Sequence, residues 1–255
     1  MKVIGSVQRA LDILNLFNGQ NTELGTTEIA EALKLHKSTT AGLVYSLEAN
    51  GYLQQNPATR KYRLGFKLIE RAAVVFEQLQ VRQVAQPHLQ ALRDQLDESV
   101  NLAIRDGMQI VYIERLFGDK TLGIRTEVGR RAHLHSTALG KAIWACLPPA
   151  EEQALIARYK FEPVTLHTIT DPVKFQQDLD KARECGYALD DEENELGGRC
   201  VASPIFDHAG RVVAAVSVSV PISRFPTSEI SRFGEMVKET AKAISRGLGY
   251  MPRPY

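Results

Sequence analysis

Residues 26–65 read "TTEIAEALKLHKSTTAGLVYSLEANGYLQQNPATRKYRLG", and this stretch decides the fold of the first part of the chain. Two helical segments, about 26–33 and 37–49, are separated by the short Lys34-Leu35-His36 turn. Gly51 then opens a strand, an Asn56-Pro57 turn and a second strand. Thr26 or Thr27 is expected to cap the first helix, with Glu28 in its first turn. Two helices joined tightly and followed by a hairpin predict a winged helix-turn-helix, whose second helix lies in the major groove of double-stranded DNA.

The faces of that second helix separate at about 100° per residue. Thr40, Leu43, Val44 and Leu47 fall on one side and should face the core. Ser38, Gly42 and Tyr45 fall on the other, beside Ala41. Small and hydroxyl-bearing groups can approach DNA closely and reach phosphates or base edges. Lys37, Ser38, Thr39, Gly42 and Tyr45 are therefore candidate DNA contacts, with Thr26 from the preceding helix and Arg60 and Lys61 at the hairpin tip. Between Lys34 and Arg63 five cations stand against one carboxylate, Glu48, in a chain whose formal net charge is only +1. The charge is modest, which favours a dimer reading two inverted half-sites. The alternatives are a solvated basic face or a winged helix used for protein contacts.

Outward from this stretch, Val7, Ala10, Leu11, Leu14 and Phe17 mark an amphipathic N-terminal helix that reads as no signal peptide. A helix over about 66–79 suits a linker, and another follows over about 82–97. "SVNLAIRDGMQIVYIERL" then reads as two strands around Asp106-Gly107, and "TLGIRT" (121–126) as a third. "TALGKAIWACL" is a helix stopped by Pro148-Pro149, and helices over about 150–159 and 172–185 follow it. "GYAL", "CVASPIF" and "RVVAAVSVSV" are strands, and a last helix fills about 227–248. Helices flanking a largely antiparallel sheet make an α+β domain. The expected division is a winged helix-turn-helix over 1–65, a linker helix over 66–81 and a second domain over 82–255.

Composition is that of an ordinary globular protein: 255 residues, 44 % apolar and 24 % charged. Three cysteines, Cys146, Cys185 and Cys200, form no CxxC pair, which points to reduced thiols and the cytoplasm. No apolar run approaches the roughly 20 residues of a membrane span. No cofactor motif is present.

Within the second domain, Ser217 and Ser219 share one strand face with Ala215 and Val213. Two hydroxyls on an apolar strand bond either neighbouring backbone or a ligand. Ser136-Thr137 can cap the helix that follows, leaving the N–H groups of Ala138 and Leu139 to attract an anion. His133 and His135 share a face if their segment is extended, as a metal pair or as structural groups. "DDEENELGGRC" (190–200) does not fit a calcium loop. Asp190 and Cys200 are singled out at strand ends, while Asp191, Glu192, Glu193 and Glu195 read as solvent or interdomain contacts. A catalytic Cys200 with His133 and Asp190 is the competing reading.

The chain resembles the IclR family of bacterial transcription regulators over nearly its whole length. The resemblance rests on "SVQRALDILNLF", "TTEIAEAL", "HKSTTAGLVYSLEANGYL" and "KYRLG", then on "GRRAHLHSTALGKA", "GYALDDEENELGGRCVASPIFDHAGRVVAAVSVS" and "PISR". It implies a winged helix joined by a helix to a GAF-like effector-binding domain, assembly as homodimers or homotetramers, and no catalysis. It implies an effector drawn from small organic acids and aromatic compounds, and contact with RNA polymerase if the protein activates. By motif position the effector site comprises Ala138, Leu139, Asp190, Cys200, Ser217 and Ser219, walled by Ile124, Ala132 and Gly198, with His133 beside them. Small Ala132 and Gly198, and Val220 where a glycine is common, point to a medium-sized or aromatic carboxylate.

Overall fold

The computed structural model describes residues 3–120 and 127–251. The strand expected at 121–126, and with it Ile124, lies outside the described residues. The chain divides into two compact units, Met1–Gln78 and Leu79–Tyr255.

The first unit opens with α1 (Gly5–Asn15), α2 (Thr26–Ala32) and α3 (Lys37–Ala49), followed by the antiparallel hairpin β1 (Leu53–Gln55) and β2 (Tyr62–Leu64). It ends with α4 (Lys67–Gln78). Ile13, Phe17, Ile29, Val44 and Leu53 form its core. The cap of α2 differs from expectation: Gly25 is the N-cap and Thr26 the first helical residue. Glu28 Oε2 accepts from Gly25 N–H at 2.6 Å, so a carboxylate three residues on replaces a threonine hydroxyl as the cap. The hairpin gains a third member through a bridge between Leu24 and Tyr62. Glu23 braces its turn by accepting from Asn56 Nδ2 and Thr59 Oγ1.

The second unit begins with α5 (Gln80–Leu96), separated from α4 by the non-helical Leu79. Strands β3 (Ser99–Asp106), β4 (Gln109–Leu116), β5 (Arg131–His133), β6 (Ala188–Asp191), β7 (Gly198–Phe206) and β8 (Val212–Pro221) form one antiparallel sheet in the order β5-β4-β3-β8-β7-β6. Helices α6 (Ala138–Trp144), α7 (Pro149–Ile156), α8 (Pro172–Cys185) and α9 (Ile230–Gly247) complete it. A short 3-10 turn, Ile222–Arg224, follows β8, and a second, Thr227–Glu229, occupies the start of the stretch expected to belong to α9.

Period-two alternation in β8 sorts the sheet into two cores. Val216, Val218 and Val220 join Leu89, Leu92 and Val237 on the side of α5 and α9. Ala215 faces the other side, with Ala103, Ala188 and Ala202, under α6 and α8. Small residues on that second face let α6 come close, and all seven of its residues are buried. Gly140 sets the limit of approach: a Cβ there would meet the Leu134 carbonyl oxygen at 2.3 Å. Val220 is fully buried in the first core, so it does not shape the face on which the serines lie.

Candidate functional site

In the first unit, α3 presents the faces expected of it. Thr40 and Val44 are buried and Leu43 and Leu47 half-buried, while Lys37, Ser38, Thr39, Ala41 and Gly42 are exposed. Tyr45 is 71 % exposed, a large aromatic ring held in solvent by a helix that could have buried it. Arg60, at φ 59°, is exposed on the hairpin turn. Lys61 differs: its Nζ bonds Glu28 Oε1 at 2.8 Å across the unit. Lys61 and the Gly25 N–H together hold the Glu28 carboxyl below the usual range, Lys61 contributing most. Chain separation hid this pairing, so the local positive charge falls chiefly to Lys34, Lys37, Arg60 and Arg63.

In the second unit, strand register assembles a polar row. Asp190 pairs with Cys200, Cys200 with Ser219, and Ser219 with Ser99. Ser217 lies opposite Asn101. Asn101 Nδ2 donates to Ser219 Oγ at 3.0 Å and Ser217 Oγ at 3.3 Å, and Cys200 Sγ donates to Ser219 Oγ at 3.1 Å. Neither hydroxyl donates to another group among the described residues, so both have protons to offer an external acceptor. Asn101 has no signal in the sequence, since its role depends on a neighbour 116 residues away.

Thr137, rather than Ser136, caps α6. Its Oγ1 accepts from Gly140 N–H at 3.1 Å and donates to the His133 carbonyl at 2.8 Å. Ser136 instead donates to Asn194 Oδ1. No group among the described residues accepts from the first-turn N–H groups of Ala138 and Leu139, so both can serve an anion.

Ala138, Leu139, Asp190, Gly198, Cys200, Ser217 and Ser219 line one recess. Tyr112, Arg130 and Asn194, which were not singled out from the sequence, complete it with Thr137, expected only as a cap, and Glu195, expected only as a solvent or interdomain contact. Ala132 and His133 do not line it: Ala132 packs in the core opposite Ile110, and His133 pairs with Gln109. His135 is structural, with Nε2 on the Glu162 carbonyl at 2.9 Å, Nδ1 by Tyr159 Oη at 3.2 Å, and burial lowering its pKa. The open cavity is about 30 Å3, room for about one water. The expected space beside Gly198 is not open. The Tyr112 ring forms one wall of the recess, and burial pushes its hydroxyl pKa up. Arg130 is exposed and has no ion-pair partner among the described residues.

Asp190 is 4 % exposed, and Oδ1 accepts from the N–H groups of Glu193 and Asn194 at 2.8 and 3.2 Å. Burial pushes its pKa up to about 7, against the pull of Lys141. An anion beside it therefore meets a group that can carry a proton. Glu193, expected as a solvent or interdomain contact, is instead buried within the second unit, and its Oε1 lies 2.5 Å from Lys141 Nζ, which also bonds Asp178 at 2.7 Å. Burial works against the Lys141 charge, but Glu193 and Asp178 outweigh it and hold the ammonium above its ordinary pKa. Burial likewise pushes the Cys200 thiol up, which opposes the thiolate that a nucleophile needs.

Comparison with known proteins matches residues 6–57 to the IclR helix-turn-helix domain and residues 73–246 to the C-terminal domain of bacterial transcriptional regulator IclR. The chain is 42 % identical over 250 residues to the HTH-type transcriptional regulator XynR of Escherichia coli (strain K12), covering 98 % of this chain and 99 % of the relative. The crystal structure of the Thermotoga maritima IclR superposes with a TM-score of 0.83 at 34 % identity, over 96 % of this chain and 99 % of that one. An IclR homologue from Microbacterium hydrocarbonoxydans, solved in complex with 4-hydroxybenzoate, superposes with a TM-score of 0.84 at 25 % identity, over 96 % and 99 % of the two chains.

Proposed function

The chain belongs to the IclR family of transcriptional regulators, and from that premise we propose that it governs a catabolic operon by sensing a small organic acid or aromatic carboxylate. Its second unit is the ligand-binding domain of that family. One observation carries the effector reading. Two serine hydroxyls with protons to give, two unengaged helix N–H groups and a protonatable Asp190 converge on one recess. Such a donor set fits a carboxylate. The acid enters by displacing the Tyr112 ring, and Arg130 at the rim supplies a cation for it. The 4-hydroxybenzoate bound by the Microbacterium hydrocarbonoxydans homologue supports an acid of that class.

The DNA reading assigns Lys37, Ser38, Thr39, Gly42 and Tyr45 to the major groove and adjoining phosphates, Thr26 to the backbone, and Arg60 with Lys61 to the wing contact. Two copies bind inverted half-sites. The exposed apolar residues of α1 (Val7, Leu11) and α4 (Ile69, Val75) supply a face for a second copy. The effector acts by binding one arrangement of the dimer or tetramer better than another, so that operator binding, or contact with RNA polymerase, changes. No helix among the described residues is long and apolar enough to cross a membrane, which accords with work at cytoplasmic DNA.

Footprinting on the DNA upstream of its own gene, with and without benzoate, 4-hydroxybenzoate, gluconate and pyruvate, tests both halves. A protected inverted repeat that one of the larger acids alters is the expected result. Absence of protection sinks the DNA reading, and a response to pyruvate alone sinks the larger acid.

A further inference from the structure

A second cavity, of about 540 Å3, lies in the second unit away from the recess. That is the size of a small-molecule site, whereas well-packed interiors leave few voids larger than a water. Its floor is built of small residues, Ala142 and Ala145 of α6 and Ala188 of β6. Cys146 completes the floor, and burial pushes its thiol up to about 11, so the floor is uncharged. Tyr187, Phe206 and Tyr250 supply aromatic walls, the last two stacked with centroids 5.1 Å apart. Gly234 lets Tyr187 lie where it does, since a Cβ there would meet the ring at 2.5 Å.

Charge gives the cavity a sign. Arg183, Lys238, Lys242 and Arg246 line it, and no carboxylate side chain does among the described residues. Arg183 is already spent on Glu152, Asp180 and the Ala145 carbonyl, where it covers the negative end of α6. Among the described residues Lys238 and Lys242 pair only with Glu235 and Glu239 one turn earlier, and such i,i+3 pairs at a surface hold weakly. Arg246 is exposed and makes no ion pair among the described residues.

We propose that this cavity is a second ligand site, which takes an aromatic acid with its ring against Tyr187 and Phe206 and its anionic group between Lys242 and Arg246. The same short helix serves both sites. Ala138 and Leu139 at the start of α6 line the recess, and Ala142 and Ala145 near its end floor the cavity.

Fluorescence titration of the full chain with 8-anilinonaphthalene-1-sulfonate tests this. Saturable uptake of one dye per chain is expected, weakened by at least about tenfold in Lys242→Glu/Arg246→Glu and by added salt. The uncharged N-phenyl-1-naphthylamine is expected to bind far more weakly. Both altered side chains are exposed, and Lys242→Gln/Arg246→Gln repeats the measurement should the reversal disturb folding. Three results overturn the proposal: no saturable uptake, equal binding of the uncharged dye, or uptake that Ser219→Leu in the recess abolishes and the rim variants leave unchanged.

Discussion

At the scale of single residues, Asp190 carries the sharpest consequence. An ordinary aspartate would be ionised at neutral pH, but burial pushes this one up to about 7. A carboxylate effector binds best while Asp190 is protonated. Its affinity should therefore fall by up to about tenfold between pH 6 and pH 8, and Asp190→Asn should flatten that profile. Calorimetric titration across that range checks it, and an affinity that rises with pH would sink it. Stability follows the same sign. The folded state binds the proton more tightly than the unfolded chain, so this group's contribution to stability declines as pH rises from about 4 to about 7. The wing offers a second test. Lys61 is engaged by Glu28, whereas Arg60 is not. Arg60→Ala and Lys37→Ala are expected to weaken operator binding and to lower its salt slope by about one unit per half-site. Lys61→Ala should do less. Gel-shift titrations at several salt concentrations distinguish them, and equal losses at Arg60 and Lys61 would show that the Glu28 pair opens on DNA.

At the scale of elements, α6 positions the recess and three devices position α6. Thr137 caps it, Gly140 admits the Leu134 backbone, and Lys141 ties it to α8 and to the 192–197 turn through Asp178 and Glu193. Lys141→Met leaves the Glu193 carboxylate buried without its cation, and a loss of about 3–5 kcal/mol is expected by chemical denaturation. Thr137→Ala removes the cap and the bond to the His133 carbonyl, and should cost about 1–2 kcal/mol. Gly140→Val forces α6 away from Leu134, so effector binding should fall even where the domain still folds. An acid affinity unchanged in a folded Gly140→Val protein would remove α6 from the site.

At the scale of the whole molecule, assembly and reading of the sequence meet. The apolar faces of α1 and α4 predict that Leu11→Glu with Ile69→Glu yields a monomer by light scattering, with operator affinity lowered by far more than one half-site's contacts would explain. A dimer that persists in this variant would move the interface elsewhere. The arrangement of α3, from buried Thr40 and Val44 to exposed Tyr45, followed from sequence alone, because helical periodicity is a local rule. The Ser217–Ser219 pair, the α6 start and the winged helix were legible for the same reason. Tyr112 was not, because an irregularity in the pairing of β3 with β4 at Leu102/Ala103 breaks the alternation by which its face would be read. Asn101 beneath the serines, Glu28 on Lys61 and Glu193 on Lys141 were hidden too, since each joins residues 33 to 118 positions apart. Sequence by itself determined the family, the elements and the residues that repeat with a helix or strand period. Only the tertiary structure decided which charges are already neutralised, which acid is pushed toward its protonated form and which residues wall the recess, because those depend on distances that the packing of separate elements sets.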